Sequence, residues 1–179
     1  RFVELDEITK YNVKNLKVAY TIPLGDVAEG TSGLGSHQST PLVKDGFMYV
    51  TGLWDVVYKI DMTGKYPSIV WTFDPENDEE IVQNPVTRGA ALWGDAVIIN
   101  TEDGRVISID DETGEMNWES AIAVELGEGF RAAPLVVDDV ILVHNAFGDW
   151  GTRGWISGVD PADGKELWRF FTVPAPGEP

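Results

Sequence analysis

Apolar and polar positions alternate along this chain in short runs, and the runs come in a fixed order. PLVKDGFMYVT, AALWGDAVIIN and PLVVDDVILVH each set two β-rich runs around a polar pair, Asp45-Gly46, Gly94-Asp95 or Asp138-Asp139. Short apolar runs around such a pair predict tight antiparallel hairpins. A second phrase follows each of them. YKIDMTGKYPSIVW, VISIDDETGEMNW and SGVDPADGKELW each pass from an apolar strand through an aspartate and a glycine turn to a strand bearing Trp71, Trp118 or Trp168. Gly64, Gly114 and Gly164 recur every 50 residues. No long segment has helical periodicity, although DEITKYNVKNL predicts a helical turn or two.

Two hairpins per repeat make a four-stranded antiparallel unit. Such a unit cannot bury both faces alone, so units stack radially and cover one another. The fold class is therefore all-β, a β-propeller with blades at about 41–74, 89–120 and 133–171 in one partial domain spanning 1–179. Residues 15–25 read as a strand of a preceding blade. Three blades and a stray strand do not close a ring, so the rest of the propeller is expected from residues beyond Pro179 or from a second chain. A tryptophan at one place in every blade is expected to pack between neighbouring sheets, its indole N–H donating to a backbone carbonyl.

Composition narrows the partners. With 13 basic and 30 acidic residues the formal net charge is −17, which disfavours nucleic acid and anionic membrane surfaces. The chain has no cysteine, hence no disulfide and no thiolate metal site. No stretch approaches the roughly 20 apolar residues of a membrane span. No signal peptide precedes Arg1, implying either a trimmed precursor or a cytoplasmic protein. His37 and His144 stand alone in the sequence and are weak evidence for a zinc or copper site. The acidic run DPENDEE, residues 74–80, lacks the glycine-centred spacing of an EF-hand and reads as a solvated loop.

One stretch falls outside the scaffold pattern. FGDWGTRGW, residues 147–155, gathers three glycines, two tryptophans, an aspartate and an arginine. From its residues alone it is either a ligand site or a decorated hairpin.

The repeat phrases, the opening RFVELDEITKYNVKNLKVAYT, the segment TRGAALWGDAVIINTEDGRVISIDDETG and the ending GVDPADGKELWRFFTVPAPGEP together resemble the N-terminal part of quinoprotein alcohol dehydrogenases. These are eight-bladed propellers that bind pyrroloquinoline quinone (PQQ). The resemblance implies a periplasmic or extracytoplasmic enzyme that oxidises an alcohol with Ca²⁺ or a lanthanide beside the quinone, and a cytochrome c as electron acceptor. It also implies site residues, one position at a time. Asp149 takes the place of the family's metal-binding glutamate, one methylene shorter, and Gly148 beside it lies along the cofactor. Gln38 stands where a glutamate often contacts the cofactor, and Arg88 matches an arginine that pairs with the quinone's acidic groups or oxygens. Arg131 replaces a threonine, either offsetting the cofactor's carboxylates or pairing with Asp149. Phe147 replaces a glycine, and Val82-Gln83 stand where many members have two adjacent cysteines. The catalytic base is expected beyond Pro179. Two readings stay open on the sequence: a working PQQ-dependent dehydrogenase, or a non-catalytic propeller for binding or assembly whose cofactor pocket has degenerated.

Overall fold

A computed structural model describes residues 6–25, 36–78, 80–82 and 85–178. Three four-stranded antiparallel sheets follow one another along the chain. The first holds β2 (Leu42–Lys44), β3 (Phe47–Thr51), β4 (Val57–Asp61) and β5 (Ser68–Phe73). The second holds β7 (Ala91–Trp93), β8 (Ala96–Asn100), β9 (Arg105–Asp110) and β10 (Met116–Ala121). The third holds β11 (Leu135–Val137), β12 (Val140–His144), β13 (Trp155–Val159) and β14 (Glu166–Phe171). Two short strands, β1 (Ser36–His37) and β6 (Val86–Thr87), pair in parallel and link the first two blades. Each sheet is an unbroken meander, as the hairpin phrases require. The predicted helical turn near the start is a single 3-10 turn at Val13–Asn15.

The three polar pairs Asp45-Gly46, Gly94-Asp95 and Asp138-Asp139 connect the first two strands of each blade. The middle blade shows why stacking is needed. Every residue of β8 is buried, because successive side chains point to opposite faces and both faces are covered. Val97, Ile99, Ile107 and Ile109 pack with Tyr49 and Val57 of the first blade. Ile98 and Val106 pack with Ile141, Val143, Trp155 and Val159 of the third.

The repeated tryptophans join each blade to the next. In all three sheets the register skips one residue immediately before the tryptophan: Val70, Asn117 and Leu167. Such a bulge re-aims the side chain that follows it. The Trp71 indole N–H donates to Asp111 O at 3.0 Å, and the Trp118 indole to Pro161 O at 3.1 Å. Each ring lies on the glycine of the next blade's turn. A Cβ on Gly114 would sit 2.8 Å from the Trp71 ring, and one on Gly164 2.5 Å from the Trp118 ring. Trp168 departs from the expectation of burial, since it is 44% exposed. No described turn follows it to receive the indole.

A related contact lies at the other end. Tyr20 Oη donates to Lys65 O at 3.3 Å, in the turn of the first blade. Ile22 and Leu24 pack on Val50, Tyr58 and Ile60, on the face of the first sheet turned away from the second. Residues 16–25 have no strand partner among the described residues.

A charged lock also spans the first two blades. Lys59 is buried, and its ammonium contacts Asp111 Oδ1 at 2.9 Å and Asp111 O at 2.6 Å. Lys44 reaches the second carboxylate oxygen at 3.1 Å, and the Tyr49 hydroxyl donates to the first.

Candidate functional site

Each blade's first strand is preceded by a short irregular segment, and the repeat places one polar side chain there every time. Gln38, Arg88 and Arg131 stand three or four residues before β2, β7 and β11. Equivalent positions in stacked blades fall side by side, and these three do. Arg88 Nε donates to Gln38 Oε1 at 3.1 Å, and Arg88 Nη1 to Arg131 O at 3.3 Å. One guanidinium thus touches the blades on both sides of its own. Gln38 N–H donates to Thr87 O at 3.0 Å, fixing the Gln38 segment beside that of Arg88. Arg88 is exposed and has only these neutral acceptors among the described residues.

Arg131 is held differently. Its Nε lies 2.9 Å from Glu102 Oε1, and its guanidinium carbon sits 4.8 Å from the Phe147 ring centroid. Glu102 is buried in the turn after β8, and the same oxygen accepts the Val86 N–H at 2.9 Å. Burial pushes the Glu102 carboxyl up to about 7, against the opposing pull of Arg131 and the Val86 N–H. Below it lies a second buried acid. Asp55 accepts the Glu102 N–H at 3.2 Å and the Asn77 amide at 3.0 Å, and burial raises it to about 6. Trp54 and Asp55 both have φ of +60°, a left-handed conformation rare for such residues. Asn77 also donates to Trp54 O at 3.0 Å and so braces this turn.

That contact corrects the expectation for DPENDEE. The run is not simply solvated: Pro75 and Asn77 are buried, and Arg105 Nη2 donates to Pro75 O at 2.9 Å and Asn77 Oδ1 at 3.2 Å.

The FGDWGTRGW stretch forms a loop over the third blade. Asn145 organises it by donating to Thr152 Oγ1 at 2.8 Å and Arg153 O at 3.2 Å. Phe147 packs against Gly129, where a Cβ would come within 2.7 Å of the ring. Gly148, Asp149 and Trp150 form an exposed 3-10 turn. A Cβ on Gly148 would meet nothing within 4 Å, so that side of the turn is open. Asp149 makes no hydrogen bond or ion pair among the described residues. Arg153 pairs with Glu178 and donates to Val173 O at 2.7 Å, and Arg131 pairs with Glu102, so neither arginine is Asp149's partner.

Phe147 and Trp150 nevertheless line one pocket with Ile81, Glu102, Glu128 and Arg131, of about 260 Å³. The structure therefore brings Gln38, Arg88 and Arg131 together and sets Phe147 beside Arg131, while Asp149, in its exposed turn, does not line the pocket. Val82 is buried, and Gln83 lies outside the described residues. His37 and His144 are exposed, and the described residues contain no group of three or more His, Cys, Asp or Glu able to hold a metal. Sequence reasoning missed Glu102, Asp55 and Glu128, and reached Trp150 only as part of the FGDWGTRGW stretch. The first of the two acids in NTEDGR, Glu102, reads as turn decoration until the neighbouring blade places Arg131 against it.

The sequence profile of the family described as PQQ glucose/ethanol/alcohol dehydrogenase, beta-propeller domain, matches residues 1–179. The chain belongs to this family. It is 36% identical over 188 residues to the dehydrogenase subunit of alcohol dehydrogenase (quinone) from Gluconacetobacter polyoxogenes, covering 98% of this chain and 24% of that protein. It is 33% identical over 186 residues to 1-butanol dehydrogenase (cytochrome c) from Thauera butanivorans, covering 100% of this chain and 25% of that protein. A europium-containing methanol dehydrogenase superposes with a TM-score of 0.83 at 31% identity, covering 98% of this chain and 30% of that one. The chain thus spans about a quarter of the length of the curated relatives it matches. The three sheets are blades of an incomplete quinoprotein dehydrogenase propeller.

The donor set suits one part of the family's cofactor better than another. A flat ligand with acidic groups finds an exposed guanidinium at Arg88, an amide at Gln38 and an aromatic ring at Phe147. For the metal ion, the FGDWGTRGW stretch offers one carboxylate, that of the exposed Asp149.

Proposed function

We propose that this segment is the cofactor-gripping part of a PQQ-dependent dehydrogenase that oxidises primary alcohols outside the cytoplasm. Arg88 carries the reading: it is an exposed cation in a chain of net charge −17, tethered to neutral acceptors from both neighbouring blades. An anionic group is what such a site lacks. Arg88 and Gln38 hold the quinone's acidic groups or oxygens, Arg131 lies next to them, and the open side of Gly148 lets the ring approach. Asp149 supplies one hard oxygen ligand to Ca²⁺ or a lanthanide, and the rest of the protein supplies the others. When bound, the quinone is the two-electron acceptor for the alcohol.

Residues 15–25 act as the outer strand of a preceding blade that the rest of the protein completes, which accounts for Tyr20 meeting the first blade's turn. Trp168 docks on a fourth blade. Electrons leave to a cytochrome c, in keeping with the Thauera butanivorans relative, 1-butanol dehydrogenase (cytochrome c).

The test is binding of PQQ to the whole natural protein in the presence of Ca²⁺ or a lanthanide, followed by absorbance. Arg88→Ala is expected to weaken binding about 10- to 100-fold, the range of one hydrogen bond to a charged group. Quinone affinity unchanged in Arg88→Ala overturns the assignment. A folded protein that binds no quinone at all favours the binding or assembly role instead.

A further inference from the structure

Arg88 and Arg131 are neighbours, but their charges are met in different ways. Arg88 Nη1 donates to Arg131 O at 3.3 Å, so an anion held by Arg88 lies beside the Arg131 residue. Arg88 has neutral acceptors, whereas Arg131 Nε lies 2.9 Å from Glu102 Oε1, on a side chain only 4% exposed. Opposite charges this close largely cancel for a third charge farther away. A neutral Glu102 leaves the guanidinium charge whole. The proton on Glu102 therefore decides what an incoming anion meets.

Every element around Glu102 bears on that proton. Val86 N–H, from β6, and Arg131, from the segment before β11, both favour the carboxylate. Asp55, in the turn after β3, accepts the Glu102 N–H at 3.2 Å, and its like charge opposes ionisation. Two further acids stand close by with partners of their own. Asp103 pairs with Arg105 at 2.7 Å; Glu128, on the same pocket as Glu102, accepts the Trp155 indole N–H at 2.6 Å and lies 3.9 Å from Arg169. Burial is the largest influence, and it sets the Glu102 carboxyl at about 7. An exposed glutamate, at about 4.3, would stay charged throughout the neutral range. Glu102 does not.

We propose that Glu102 is a positioning residue that sets the charge Arg131 presents to an anion at Arg88, masking it when ionised and releasing it on taking a proton from solvent. This role rests on the reading of Arg88 and Gln38 as the grip on an acidic cofactor, and adds a proton taken up with the anion. The sign follows from the ion pair: affinity rises as pH falls through the Glu102 midpoint. Linkage is reciprocal, so an anion that raises that midpoint by about one unit is bound about tenfold more tightly once Glu102 is protonated. One unit is the low end of what a charge within about 4–6 Å does to a carboxyl.

The experiment titrates the whole natural protein with PQQ and, separately and without quinone or metal, with sulfate, which keeps its charge in the range used. Both titrations are run at about pH 5.5 and about pH 8.5, on either side of the midpoint. Absorbance reports PQQ, the Arg88 and Arg131 Nε–H resonances report sulfate, and the Glu102 carboxyl carbon reports its own midpoint. Both ligands are expected to bind about tenfold more tightly at the lower pH, and sulfate to raise the Glu102 midpoint by about one unit over chloride of equal ionic strength. Glu102→Gln stays neutral at every pH and can still accept the Val86 N–H. It should remove the gain. His37, His144 and Asp55 are present in both proteins, so the difference between the two profiles belongs to Glu102. Arg131→Gln should remove the gain as well, and adding Glu102→Gln to it should change nothing further.

Equal pH profiles in the natural protein and Glu102→Gln overturn the proposal, as does a Glu102 midpoint that sulfate does not move. The midpoint is read in the natural sequence and decides the matter even if Glu102→Gln does not fold. Sulfate binding with this pH dependence but no PQQ binding counts against the proposed function alone. PQQ binding without the pH dependence counts against Glu102 alone.

Discussion

Replacing Asp111 with alanine tests the bond between the first two blades, on which the Gln38–Arg88 contact depends. Asp111 is the only acid within salt-bridge reach of Lys59 among the described residues; the Lys59 side chain is 8% exposed and that of Asp111 13%. Truncating it leaves an ammonium buried without a counter-charge, a change that costs about 3–5 kcal/mol in general. The lower end applies here. Lys59 keeps the Asp111 backbone carbonyl at 2.6 Å and the Phe47 ring at 4.4 Å, both of which survive the substitution. Lys44, with a side chain 30% exposed, adds little when its own bond is lost. The expected loss is about 3 kcal/mol. Burial alone would raise the Asp111 carboxyl, but hydrogen bonds from Tyr49, Lys59 and Lys44 outweigh it and hold it below the usual range. Its contribution is thus complete above the unfolded carboxylate pKa and disappears as pH falls through the lower folded value. Denaturant midpoints, with amide exchange of β4 and β9 as a local probe, measure the effect, since blade arrays need not melt as one unit. The paired change Lys59→Met with Asp111→Leu should return to within about 1 kcal/mol of the natural protein. A loss below about 1 kcal/mol for Asp111→Ala, or a double variant no better than the single one, would show that the Lys59–Asp111 pair does not hold the two blades together.

Gly164→Ala should destabilise the interface of the second and third blades by roughly 2 kcal/mol, because φ is +75° there and the new Cβ would lie 2.5 Å from the Trp118 ring. Unchanged thermal stability and tryptophan emission would count against the docking of Trp118 on that turn. Asp55→Asn should alter the pH dependence of stability rather than its value in acid. The folded-state pKa of Asp55 is raised to about 6 by burial, so the natural protein holds its proton more tightly when folded and loses that stability as pH rises towards and through 6. The asparagine variant should therefore gain on the natural protein between about pH 4 and 7 in denaturant titrations, and parallel curves would show that Asp55 does not titrate in that window.

The blade pattern was legible because each element is local. A hairpin needs only two apolar runs and a polar pair between them, and the 50-residue recurrence of Gly64, Gly114 and Gly164 marks the unit. The fate of each tryptophan was less legible, because it depends on a neighbour. Trp71, Trp118 and Trp168 look alike in sequence, and each follows the same bulge. Among the described residues, only the first two have a following turn to cover. Gly64 looks equivalent to Gly114 and Gly164 as well, yet it follows its aspartate by three residues rather than four, and the first tryptophan lies seven residues beyond it rather than four. Its φ is not in the left-handed region that Gly114 and Gly164 adopt at +77° and +75°.

The site was legible only where one residue per blade falls at one repeat position. Gln38, Arg88 and Arg131 satisfy that condition, and stacking alone makes them neighbours. Glu102 and Asp55 do not. Each sits in a turn whose sequence is ordinary, and each becomes exceptional through burial by an adjoining segment: Glu102 by the segments carrying Val86 and Arg131, Asp55 by Asn77 and the Glu102 backbone. The consequence for Arg131 is chemical. Taken alone along the chain, it adds a second positive charge beside Arg88. In the folded blades Glu102 offsets that charge, so Arg88 is the member of the row left with neutral partners only. Under the proposed function, anion binding then concentrates on Arg88, and the cofactor meets Arg131 only as one half of an ion pair.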